Sequence, residues 1–214
     1  MVKLDIISDP ICPWCYIGKT LLDRALDQRP GHPFTIEWHP FQLNPDMPRD
    51  GMDRRTYLEA KFGGKAGAVE AYVPVMERAE AAGLSIDFEA IKRTPNTLDA
   101  HRLIHWAGIE QRQAPVVLAL FRAYFDAGRD IGDPDVLADI ADGAGMDAAV
   151  VRKLLSTESD VEDIRKRDAA FRDMGITGVP SFIVAGQHAV PGCQPTEMWL
   201  KVIDELLAQQ AGAP

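Results

Sequence analysis

Residues 3–15 read Lys3-Leu4-Asp5-Ile6-Ile7-Ser8-Asp9-Pro10-Ile11-Cys12-Pro13-Trp14-Cys15. The apolar, partly β-branched run Leu4, Ile6 and Ile7 has the character of a short strand, and it stops at the turn formers Ser8, Asp9 and Pro10. After the second cysteine, Ile17, Leu21, Leu22, Ala25 and Leu26 recur at helical spacing on one face. Pro13 suits the first helical position, where its missing N–H costs nothing and its fixed φ is already helical. Cys12 then lies at or just before a helix N-terminus, against orphan N–H groups and the positive end of the helix dipole. A thiolate is stabilised there, and the thiolate is the form that attacks disulfides. Cys15, one turn later on the same side, is close enough to resolve a mixed disulfide.

The same spacing is also half of a zinc site, which wants about four Cys or His ligands. The remaining cysteine is Cys193, the five histidines are scattered, and neither a second CxxC nor an HxxxH occurs. Redox chemistry is therefore preferred over a metal site and over inert cysteines, and no metal is expected. The formal charge of −9, from 23 basic and 32 acidic residues, disfavours nucleic acid and anionic membrane as partners. The N-terminus Met1-Val2-Lys3-Leu4-Asp5 lacks the pattern of a signal peptide, and no stretch approaches the ~18 apolar residues of a membrane span. A cytoplasmic location is the expectation, and there a CxxC is more often catalytic than structural.

Residues 33–39 alternate apolar and polar and predict a second strand, parallel to the first through the intervening helix. Residues 40–53, rich in Pro, Asn, Asp and Gly, read as a connection. From 54 to 157 the patterns are helical: Arg54–Phe62, Ala66–Ala82, Thr97–Gly108, Pro115–Ala127, Pro134–Ala144 and Ala148–Ser156. Asp133 before Pro134, and Asp147, are N-caps; Gly63-Gly64 and Gly83 are stops. Ser159 and Glu162 form a capping-box pattern for a helix ending at Gly175. Ser181–Ala185 and His188–Val190 read as a hairpin, and a last helix begins near Pro195-Thr196. The α/β chain thus divides into a βαβ half over 1–50, an all-helical insertion over 51–157 and an αββα half over 158–214.

Four stretches together resemble the DsbA superfamily of thioredoxin-fold proteins, and its FrnE-like branch in particular. They are Ser8-Asp9-Pro10-Ile11-Cys12-Pro13-Trp14-Cys15-Tyr16-Ile17-Gly18, Pro40-Phe41-Gln42-Leu43-Asn44-Pro45, Pro95-Asn96-Thr97 with Ala100-His101-Arg102, and Gly175-Ile176-Thr177-Gly178-Val179-Pro180-Ser181-Phe182. The resemblance implies a thioredoxin fold interrupted by helices and a thiol–disulfide oxidoreductase, with Cys12 as nucleophile and Cys15 as resolving thiol. No cofactor is required, and glutathione is a candidate redox partner. The substrate is a thiol- or disulfide-containing protein or small molecule, and the chain is a monomer or homodimer. The resemblance extends to kappa-class glutathione transferases and 2-hydroxychromene-2-carboxylate isomerases, which typically have serine where this chain has Cys12. A peptide-binding holdase is the non-enzymatic alternative.

Further residues enter as site candidates. The pair Pro13 and Trp14 between the cysteines tunes their potential, within a range of ~−270 to ~−120 mV for known systems. By resemblance, Val179-Pro180 is a cis peptide opposite the CxxC that pairs with substrate backbone, and Asn44 contacts glutathione. Trp14 and Tyr16 read as an apolar rim, Tyr16 in part as packing. Cys193, before the last helix, is a third redox thiol or, by preference, a small packed residue. His39, Asn96, His101 and Arg102 read as hydrogen-bonded or packed side chains before they read as site residues.

Overall fold

The computed structural model describes residues 1–211; residues 212–214, the end of the third segment, lie outside it. The chain begins as β1 (Val2–Ser8), α1 (Pro13–Gln28) and β2 (Phe34–Pro40). A two-residue β3 (Met52–Asp53) leads into α2 (Arg54–Phe62) and α3 (Lys65–Ala81). A two-residue β4 (Arg93–Thr94) precedes α4 (Leu98–Ile109) and α5 (Gln113–Phe121), which runs on as a π-helical turn (Arg122–Asp126). Then come α6 (Pro134–Gly143), α7 (Ala148–Leu155), α8 (Val161–Asp173), β5 (Ser181–Val184), β6 (His188–Pro191) and α9 (Thr196–Ala211).

The main sheet has the order β2-β1-β5-β6, with β1 parallel to β2 and the other two pairings antiparallel. This is the α/β thioredoxin-like fold with a helical insertion. Ile6 is opposite Trp38 on one side and Phe182 on the other. Because β1 is covered on both faces, Leu4, Ile6 and Ile7 are each at most 1% exposed; burial of each is worth ~1.5–3 kcal/mol. Leu4, Ile6, Phe182 and Val184 share a core with Cys15, Leu22 and Ala25 of α1 and with Trp199 and Ile203 of α9. Ile7 and Ile183 face the other way, onto Phe41, Phe171 and Ile176. Side chains of α4 to α7, among them Leu103, Val116, Phe121, Leu137 and Val151, extend the first of these cores.

The caps act as their residue types dictate. Asp133 accepts from the Asp135 N–H, with Pro134 behind it at the first helical position, and Asp147 accepts from the Ala149 and Val150 N–H groups. Three expectations are corrected. Segment 51–157 is not without strands: β3 and β4 form a small antiparallel ladder. Pro115–Ala127 is not one α-helix, since its end is the π-helical turn. The capping box at Ser159 and Glu162 does not form. Asp160 occupies the cap position with φ +60°, Ser159 bonds Thr157, and Glu162 bonds Arg165. The loop is instead shaped from outside, by Arg102 donating to the Ser159 carbonyl and by the Trp106 indole donating to Asp160. Among the described residues no helix is long and apolar enough to cross a membrane.

Candidate functional site

Strand β1 delivers the chain to Asp9, whose carbonyl accepts the Cys12 N–H at 2.9 Å, closing the turn into α1. Cys12 is the N-cap of α1, in extended conformation (φ −87°, ψ 114°), with Pro13 in the first turn. Its carbonyl accepts the N–H groups of Cys15 (3.1 Å) and Tyr16 (3.2 Å). No acidic residue stands in the first turn of α1, so nothing on that turn competes with a thiolate for the dipole. Both cysteines are free thiols; Cys12 is 3% exposed and Cys15 is 1%. Burial pushes the Cys15 thiol well above its ordinary pKa, reinforced by the neighbouring Cys12 and opposed by hydrogen bonds from Ser8 and the Asp9 N–H.

Val179 and Pro180 come to the same place from the other half of the fold. The Val179-Pro180 peptide is cis, and the Cys12 thiol donates to the Val179 carbonyl at 3.6 Å. Gly18, one turn beyond Cys15, is where α1 touches this segment: an added Cβ there would lie 3.1 Å from Cγ of Pro180 and 3.3 Å from Cβ of Cys193. Cys193 is half-buried and packs against the cluster that holds Ile17 and Leu21 of α1. Trp14 is likewise half-buried.

Behind the cysteines the segment Phe41–Leu43 is pinned on both sides. The Phe41 N–H donates to Ser8, Gln42 N–H to Asp168, and Leu43 N–H to Asp9 at 2.7 Å. Asn44 follows; its side-chain oxygen accepts from Tyr57 at 2.8 Å, and its buried side-chain nitrogen has no partner among the described residues. Asn96 bonds Gln42 and the Met47 carbonyl, tying α4 to the same segment.

Other candidates are placed elsewhere. Tyr16 does not form a rim: it is 3% exposed, stacked on Phe121 and Phe125, and donates to Asp126 at 3.0 Å. Burial raises its pKa to about 12. His39 lies among charges on β2, with Nε2 2.6 Å from Asp5 and Nδ1 3.1 Å from Arg167. Asp5, Glu37 and His39 have the donor types of a metal site. Lys3, 2.8 Å from Asp5 and 2.9 Å from Glu37, together with Arg167, already supplies the positive charge. Arg102 is fully buried and donates to the carbonyls of Leu154, Thr157 and Ser159 and to Asp99, a structural clamp. Asp9, read from the sequence only as a turn former, and Gly18, given no role there, both lie inside the quoted motif and both touch the site.

The chain belongs to the DSBA-like thioredoxin domain family, whose match covers residues 3–204. It is similar to a probable DsbA oxidoreductase from Streptomyces coelicolor, with 30% identity, a TM-score of 0.84, and 100% of this chain and 92% of that one covered. It is 27% identical to the Bacillus subtilis protein YwbO, itself uncharacterised, over 95% of this chain and 96% of that protein. A 2-hydroxychromene-2-carboxylate isomerase has the same fold, at 16% identity and a TM-score of 0.74, with 98% of each chain covered.

Proposed function

We propose that this protein is a thiol–disulfide oxidoreductase of the FrnE-like branch, with Cys12 as the attacking thiolate and Cys15 as the resolving thiol. The observation that carries the reading is the position of Cys12, at the N-cap of α1 and 3.6 Å from the Val179 carbonyl, with Cys15 buried one turn behind it. A helix N-terminus favours the thiolate, whereas a buried thiol stays protonated until a mixed disulfide has formed next to it. Cys15, whose thiol burial pushes well above its ordinary pKa, is accordingly the thiol that resolves. Substrate backbone lies along Val179-Pro180, with Pro13, Trp14 and Cys193 lining the approach.

Glutathione is the proposed electron partner, acting in the cytoplasm. The unpaired side-chain nitrogen of Asn44 supports this, because the family resemblance assigns a glutathione contact to that position. The test is a titration in glutathione buffers with each cysteine assigned by mass spectrometry. A reversible Cys12–Cys15 disulfide is the expected result. A potential near ~−270 mV defines a reductant, and one above ~−200 mV an oxidant or isomerase of disulfides. Glutathione binding without thiol exchange would overturn the reading in favour of a glutathione-dependent isomerase. Client binding that survives Cys12→Ser without turnover would favour a holdase.

A further inference from the structure

Helices α2 and α3, with the chain around Phe88, enclose a groove of about 880 Å³, the size of a small-molecule site. One wall is apolar. Val69, Val73 and Met76 stand at i, i+4 and i+7 of α3 and are 60%, 48% and 57% exposed. They are three of the seven large apolar side chains exposed among the described residues, so this wall is where such surface concentrates. The inward face of α3 is already occupied, with Val75 and Ala79 packed on Ile17 and Leu21 of α1.

Arg54, at the start of α2, lines the same groove although it is only 6% exposed. Its guanidinium lies 5.5 Å from the ring centroid of Tyr72, 5.8 Å from that of Phe88 and 5.9 Å from that of Tyr124. Nη1 donates to the Tyr124 hydroxyl at 2.9 Å and Nη2 to the Tyr72 hydroxyl at 2.8 Å. A guanidinium carries about five N–H groups, and the others meet no acceptor among the described residues. Burial raises the pKa of both phenols, so neither ionises to supply a counter-charge. Glu59 is turned to Arg55, at 4.0 Å, and Asp53 is taken up by the N–H and hydroxyl of Thr56. Among the described residues no carboxylate pairs with Arg54. The other buried Lys and Arg side chains each have one: Asp23 for Lys19 and Asp99 for Arg102. A buried cation without an anion is costly, and Arg54 is the exception. On the rim, Asp53, Glu59 and Glu89 balance Arg55, Lys65 and Lys92, which leaves the Arg54 charge uncompensated.

We propose that this groove binds a small amphipathic carboxylate, its head paired with the Arg54 guanidinium and its apolar body laid along Val69, Val73 and Met76. A carboxylate matches the fork of a guanidinium, two N–H groups to two oxygens. One uncompensated positive charge calls for a monoanion, whereas a phosphate group brings about two negative charges. From Val69 to Met76 the wall runs about 10 Å at the helical rise, which suits a medium-length alkyl chain or a pair of fused rings. The groove shares no residue with the approach to Cys12, and the site stands whether or not the cysteines cycle.

The experiment is isothermal titration calorimetry of the full wild-type chain with octanoate, and with 1-octanol as its uncharged counterpart. Octanoate should bind saturably at one site, and 1-octanol about tenfold more weakly, the factor a charge-assisted hydrogen bond supplies. Arg54→Met, where it folds, should erase that preference. Val73→Asp alters only the exposed wall and keeps the test open where Arg54→Met does not fold; it should weaken octanoate by about tenfold, because it sets a like charge beside the bound anion. Equal affinity for octanoate and 1-octanol in the wild type would overturn the pairing with Arg54. Unchanged octanoate affinity in Val73→Asp would put the binding elsewhere, and absence of saturable binding at millimolar octanoate would overturn the proposal outright.

Discussion

Replacing Gly18 by alanine tests whether the close approach of α1 to the Val179-Pro180 segment holds the site together. The new Cβ would stand 3.1 Å from Cγ of Pro180 and 3.3 Å from Cβ of Cys193, inside the ~3.5–4.0 Å optimum for carbon pairs. Its neighbours must yield by a few tenths of an ångström, and overpacking of this kind costs ~1–3 kcal/mol. Alanine returns about 1 kcal/mol of helix propensity, so the net loss should be about 1 kcal/mol, within the range ~0–2. Gly143 of α6 is the control, because nothing among the described residues lies within 4 Å of a Cβ added there. Gly143→Ala should be neutral or stabilising by up to ~1 kcal/mol. Urea unfolding of both variants, with unchanged m-values, isolates the steric difference. Equal stability of the two would show that the contact contributes nothing.

Asp9→Asn makes a second prediction, on stability. The folded-state pKa of Asp9, about 7, stands above its ordinary 3.8. Its stabilising contribution is therefore complete below about pH 4 and is lost as pH rises to about 7. The variant should gain on wild type across that window, by up to about 4 kcal/mol at pH 8, and an equal gain at pH 5 and pH 8 in denaturant unfolding would contradict the assignment. Cys15→Ser should trap substrate or glutathione on Cys12 as a mixed disulfide visible by intact mass; trapping on Cys193 instead would reverse the assigned order. Arg102→Met should destabilise by ~3–5 kcal/mol by thermal or chemical unfolding, because the fully buried guanidinium is lost and Asp99 and three loop carbonyls are left without their donor. Tyr16→Phe should lose only about 1 kcal/mol, since its hydroxyl makes one bond, to an exposed carboxylate.

The β1–Cys12–α1 unit was legible because three local signals coincide: a compact apolar run, turn formers, and proline at a helix start. The helices of the middle region were legible within a residue or two at their ends, for their apolar faces repeat at helical spacing. β3 and β4 were not, because a two-residue strand has no period. The π-helical turn escaped because its sequence continues the helical pattern of α5, and only the packing of Tyr124 and Phe125 into the core distinguishes it. The Ser159–Glu162 pattern misled because Arg102 and Trp106, 57 and 54 residues away from their bonding partners, own that loop. Tyr16 was half legible: its aromatic character pointed to an apolar surface, but the partner rings Phe121 and Phe125 lie too far along the chain to read. Asp9 looked like one more turn former, and only the folded chain reveals that its carboxyl is buried against His101.

The contact between Cys12 and the Val179 carbonyl spans 167 positions of the chain. A ribosome adding roughly 5–20 residues per second needs on the order of ten seconds or more to cover that distance. During synthesis the cysteine pair thus emerges long before the strand that will cover it, with β1 still lacking one of its two neighbours. Throughout that interval both thiols are open to oxidants and to passing disulfides. The newborn chain is in this sense a substrate for thiol exchange before it can act as a catalyst of it.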